Sequence, residues 1–245
     1  MIKIENVDVV GFEAAIRGMR NPMNSWDKSD SGVCTSNEYW YSISCEDCVF
    51  VKNECYVPDG TFCVGKNDLA LMRKLAEAGS VHAKYRRMIV VYADITAPLY
   101  WWKEADTYKV GTVSNSCSTM HKIHEKEFTL GDFSYEHLIG PNLDELERLI
   151  DHLEDIRDWY VNYDLNKEHL NKMYTCKKDL WWQMIQLLPN SYNQRRTVML
   201  NYEVLANIYK SRKDHKLDEW REFCGWIENL PYSKIITING REVEE

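Results

Sequence analysis

Glycine-rich phosphate loops, dinucleotide fingerprints and paired-histidine metal motifs are all missing from this chain. Only 6 prolines and 11 glycines are spread over 245 residues, so no Pro- or Gly-rich linker divides it. No apolar run approaches the ~18 residues of a membrane span. Basic residues are in deficit, 30 Lys and Arg against 38 Asp and Glu, for a net charge of −8. That excludes a general nucleic-acid surface and leaves room only for a local basic pocket, as for a phosphate. The opening "MIKIENVDVVGF" alternates like a strand and has no secretory pattern. The expectation is a cytoplasmic protein whose 8 cysteines are mostly thiols.

What is present is a folded core. Apolar residues make up 44 %, with 9 Trp and 15 Tyr, and the length suits one domain over residues 1–245. Residues 1–10 read as a strand, and "GFEAAIRGMRNPMNSW" carries a helix into a polar loop. Residues 32–65 form a Cys-rich irregular insertion. "KNDLALMRKLAEAG" is a helix with Asn67 as candidate N-cap and Gly79 as candidate C-cap. "RRMIVVYADI" is a strand, followed by a helix capped by Thr96, entered through Pro98 and ended by Gly111. Apolar residues at 143, 146, 149, 150, 153 and 156 predict a long helix. "NKEHLNKMYTCKKDLWWQMIQLLP", "QRRTVMLNYEVLANIYKSR" and "HKLDEWREFCGWIENL" read as three more. "KIITINGREVE" ends the chain with a hairpin signal at Asn239-Gly240. The sum is an α+β domain, several helices around a small sheet.

Three constellations carry chemistry. Cys45 and Cys48 form a C-x2-C pair near Cys34, Cys55 and Cys63, a set able to hold zinc, although zinc sites usually carry two tight pairs. The late segments concentrate Arg195, Arg196, Lys210, Arg212, Lys213, His215 and Lys216, some of which can face one anion. Arg212 and His215 share a face if their helix is continuous. The loop "SNSCST" offers hydroxyls and backbone N–H groups to an anion, or a cap to the next helix. Cys117 with His121 is a nucleophile-and-base spacing of little specificity.

Three stretches together resemble the flavin-dependent thymidylate synthase family, in a divergent branch of bacterial and phage genomes. They are "GFEAAIRGMRNPMNSW", the run from "LMRKLAEAG" through "TAPLYWWKEADTYKVGTVSNSCS", and "LPNSYNQRRTVMLNYEVLANIYKSRKDHKLDEW". The resemblance implies an α+β fold with helices around a mixed or antiparallel sheet, and a homotetramer. It implies methylation of dUMP, or a related uridine nucleotide, with FAD, NADPH and methylenetetrahydrofolate. Arg212 would act on the pyrimidine. Tyr108, Lys109, Asn201 and His215 would line the flavin, and Arg195, Ser116, Cys117 and Ser118 the nucleotide. The family's Arg-His-Arg signature is replaced by Thr107, Tyr108 and Lys109, and its closing Arg-Tyr by Thr119 and Met120. The family's substrate-side His has His82, Arg86 or Met88 as its counterpart. The loss of cations leaves two further readings: a non-catalytic nucleotide-binding relative, or a structural interaction protein with a zinc-bound cysteine loop.

Overall fold

A computed structural model describes residues 1–33, 60, 62–170 and 172–238. Cys34, Cys45, Cys48 and Cys55 and the Asn239-Gly240 pair lie outside these residues. The described chain is α+β. A four-stranded sheet has the order β1 (Lys3–Val10), β4 (Val90–Pro98), β6 (Asn193–Asn201), β5 (Thr112–Ser116). A short antiparallel pair joins β2 (Gly32–Val33) to β3 (Phe62–Cys63). Two compact units share the chain, and each of the four main strands contributes residues to both.

One unit comprises Met1–Glu5, Asp94–Thr107 and Ser114–Thr197. Its helices are α3 (Leu99–Ala105), α4 (Thr119–Lys122), α5 (Pro141–Val161), α6 (Tyr163–Leu170) and α7 (Lys177–Leu187). Leu146, Ile150, Leu153 and Ile156 form the buried stripe of α5, at the helical spacing read from the sequence. They cluster with Leu180 and Met184 of α7 and with the fully buried Phe133. The stretch expected as one helix up to Pro189 is two helices. The Asp179 carboxylate accepts the N–H groups of Thr175 at 2.8 Å and Cys176 at 3.1 Å, which starts a new helix at Lys177.

The other unit comprises Asn6–Ala93, Tyr108–Val113 and Val198–Glu245. Its helices are α1 (Phe12–Arg20), α2 (Lys66–Glu77), α8 (Tyr202–Arg212), α9 (Asp218–Glu228) and α10 (Lys234–Thr237). Phe12 meets Tyr202 edge-on, with ring centroids 5.8 Å apart. Buried Arg20 donates its Nε–H to Asp68 at 2.6 Å and spends its other nitrogens on the carbonyls of Ser25 and Lys28. Asp68 also accepts the hydroxyls of Ser29 and Ser31, both at 2.6 Å. Burial alone would raise the Asp68 pKa, but these hydroxyls and the guanidinium hold it below the usual carboxylate range.

Other expectations need correction. Asn67 does not cap α2. The Asp30 carboxylate takes the N–H groups of Asn67 and Asp68 at 2.7 and 3.0 Å, so the cap comes from a distant loop. Thr96 lies inside β4, and Pro98 ends that strand as the N-cap of α3. α3 ends at Ala105, so Tyr108 and Gly111 lie beyond it. The stretch from Gln194 to Arg212 is half strand. Val198 and Leu200 are buried while Arg195 and Thr197 are exposed, a period of two that ends where Asn201 caps α8. Residues 234–237 are helical, not part of a strand.

Candidate functional site

In the unit that holds α8, the chain ends that helix on Arg212 and brings Tyr108 to it from the segment before β5. Arg212 Nε donates to the Tyr108 hydroxyl at 2.9 Å. The guanidinium carbon stands 4.9 Å from the ring centre of Trp220 and 5.7 Å from that of Tyr108. The two rings meet edge-on with centroids 6.0 Å apart. A ring face attracts a cation, so the two rings help to hold the guanidinium in place.

His215 joins the cluster although the helix stops at Arg212. Its backbone N–H returns to the Arg212 carbonyl at 3.0 Å, and its Nε2 lies 3.0 Å from Arg212 Nη1. Arginine has no acceptor, so this contact requires a bare lone pair on Nε2. The Leu217 N–H approaches Nδ1 at 3.2 Å and competes for the ring's single acceptor site. The charge-assisted partner is the stronger of the two.

Asn201 has a visible local role: its Oδ1 accepts the Val204 N–H at 2.9 Å and caps α8. Its amide nitrogen packs against Gly111, where a Cβ would stand 2.3 Å from Nδ2. Gly111 also has φ +80°, so both the space and the backbone there require glycine. Lys109 is exposed.

The hydroxyl loop belongs to the other unit. It is not all loop: Thr112–Ser116 is β5, and the Cys117 N–H donates to the Arg195 carbonyl at 2.9 Å, beside β6. Ser118 caps α4, its hydroxyl accepting the His121 N–H at 3.1 Å. Ser116, Cys117 and Ser118 line a cleft of about 370 Å³ with Leu99, Ile185 and Gln194. Gln194 Nε2 donates to the Cys117 carbonyl at 3.2 Å and to Thr119 Oγ1 at 3.0 Å, which fixes the loop. Among the described residues no hydrogen bond joins Cys117 to His121.

The two arginines of β6 already have partners. Arg195 donates to Asp94 at 2.7 Å, and that carboxylate raises the guanidinium's pKa further. Arg196 donates to Asp106 at 2.7 Å and lies 4.2 Å from the Trp102 ring centre. Both arginines are on β6, a strand where the sequence reading expected a helix. Arg195 and Arg212 belong to different units.

Sequence reasoning missed Trp220, Gln194 and Asp94. Trp220 had no signal beyond its apolar bulk. Gln194 and Asp94 had a usable one, because strand alternation in β6 and β4 sets which residues share a face. Among the described residues no cluster of His, Cys, Asp or Glu suits a metal ion, and no helix is long and apolar enough to cross a membrane. Cys63 is half-buried.

No protein-family model and no curated protein sequence matches the chain. Solved structures do. Thymidylate synthase X of Helicobacter pylori, crystallised with FAD and dUMP, superposes with a TM-score of 0.56 at 14% identity, over 95% of this chain and 95% of that one. A second structure of flavin-dependent thymidylate synthase from the same organism, complexed with FAD and dUMP, gives 0.53 at 15% identity, over 93% and 94%. This chain therefore has the fold of those proteins.

Proposed function

We propose that this protein binds FAD and a uridine-type nucleotide and acts as a flavin-dependent thymidylate synthase-like methyltransferase. The observation that carries the reading is the Arg212 cluster, built between Tyr108, Trp220 and His215 in a fold shared with flavin enzymes solved with FAD and dUMP. In this reading Arg212 polarises the pyrimidine of dUMP, since a charged fork of donors matches its carbonyl oxygens. His215, with Tyr108, Lys109 and Asn201, lines the flavin. The nucleotide-binding role of Ser116, Cys117, Ser118 and Arg195, which belong to the other unit, rests on the family resemblance.

The residues present fit such ligands. Arg212 is held against two aromatic rings, which suits it to a flat ligand bearing carbonyl oxygens. A bound flavin supplies hydride chemistry, with NADPH as the source of electrons and methylenetetrahydrofolate as the carbon donor. The work of this chain is orientation and electrostatics, and Cys117 has no required role as a nucleophile. The assembly expected for this function is a homotetramer. Purified protein loaded with FAD should show a bound flavin spectrum and convert dUMP to dTMP. Protein that stays colourless after loading overturns the reading.

A specific observation favours a second reading, a nucleotide-binding protein without turnover. Tyr108 already occupies Arg212 Nε, and Asp94 and Asp106 occupy Arg195 and Arg196. This reading predicts thermal stabilisation by dUMP without flavin. Production of dTMP rules it out.

A further inference from the structure

Lys177 and Lys178 open α7, an 11-residue helix. A helix N-terminus carries partial positive charge, so two lysines there work against the helix dipole. The carboxylates nearby do not answer them. Asp179 is taken by Thr175 and Cys176, Glu154 by Arg157, and Glu125 by Lys122. Lys177 Nζ instead lies 4.7 Å above the ring of Tyr160.

These lysines border a cleft of about 430 Å³, lined also by His121, His124, Tyr160 and Trp181. The Trp181 indole is fixed by its N–H, which donates to the Met120 carbonyl at 2.8 Å. The His124 ring packs on Tyr160 with centroids 4.8 Å apart, and its Nδ1 is shut off from solvent without a partner. The cleft thus combines ammonium groups, imidazoles and fixed aromatic faces, and among the described residues no carboxylate lines it.

We propose that this cleft is a second ligand site, for a small aromatic anion: a planar ring bearing a phosphate or a carboxylate. The anionic group sits beside Lys177 and Lys178, where it offsets the positive charge of the lysine pair. The ring lies against Trp181 and Tyr160. The cleft lies wholly within the unit that contains α5 and α7, and the inference is independent of the flavin reading: colourless protein leaves it standing.

Phenyl phosphate and benzoate are the probes, titrated calorimetrically into the full-length protein, with inorganic phosphate as the ring-free control. The expected result is binding of at least one aromatic anion, about tenfold tighter than inorganic phosphate, and weakened by high salt. Lys177→Ala/Lys178→Ala should lose about tenfold in affinity. Lys178→Glu, at an exposed position that leaves the packing intact, should lose at least as much. The Arg212→Ala protein should bind as the unaltered chain does. Binding that survives both lysine variants, binding that disappears with Arg212→Ala, inorganic phosphate binding as tightly as the aromatic probes, or no binding at all overturns the proposal.

Discussion

Arg20 and Arg195 each meet an aspartate, and the two pairs differ in everything but chemistry. The Arg20–Asp68 pair, 2.6 Å apart, is 5% and 0% exposed. The Arg195–Asp94 pair, 2.7 Å apart, is 48% and 16% exposed. The first is an internal tie. It fastens the loop over residues 21–31 to α2, and every polar atom it brings inside has a reason to be charged. The second sits in water, where a competing anion can take the arginine at small expense. A buried pair serves architecture, and an exposed pair leaves a cation available for exchange. Arg212 adds a third element, since two aromatic rings help to hold its position.

Arg20→Ala tests the comparison hardest. It leaves Asp68 buried without its cation and should destabilise the fold by about 3–5 kcal/mol in chemical denaturation. The same carboxyl sets an acid limit. Its folded pKa lies below the unfolded value, so its contribution is present at neutral pH and is lost as pH falls below about 4. Asp68→Asn should flatten that part of the stability–pH profile.

Gly111→Ala comes next, at about 2–4 kcal/mol, from a strained positive φ and a Cβ pressed on Asn201. It should also loosen the cap of α8, visible as faster amide exchange at Val204. Tyr108→Phe removes one hydrogen bond to a charged group and should cost about 1–2 kcal/mol, by thermal unfolding. It frees Arg212 Nε, so dUMP should bind the variant at least as well, and weaker binding would mean that Tyr108 itself contacts the ligand. Arg195→Ala should change stability by less than about 1 kcal/mol. If it costs as much as Arg20→Ala, the contrast between the two pairs fails.

The parts of the fold that were legible from sequence are those set by local periodicity. α5 shows its buried stripe directly in the spacing of Leu146, Ile150, Leu153 and Ile156. β6 does not, because its first half is polar and it runs without a break into α8. There Asn201 is both the last strand residue and the helix cap. β5 is short and largely hydroxyl-bearing, and it is a strand because β6 pairs with it. For the site, the resemblance picked out Arg212, His215 and Tyr108, and the fold brings those three together. Neither spacing nor resemblance indicated Trp220, which reaches Arg212 from the next helix. Strand alternation could put Asp94 and Arg195 each on a face, but no pattern read along the chain shows that β4 and β6 are neighbours or that Asp106 reaches Arg196.

The cap at Ser118 has a consequence for how this chain reports what it holds. α4 is 4 residues long, too short to persist without help, and the Ser118 hydroxyl supplies that help by accepting the His121 N–H. The same hydroxyl still has its own proton to give. An anion that takes that proton makes the oxygen a better acceptor, and the ordered turn in return presents the hydroxyl more often. Occupancy of the cleft and protection of one backbone amide thus become two readings of a single equilibrium, and hydrogen exchange at His121 would follow a ligand that never touches it.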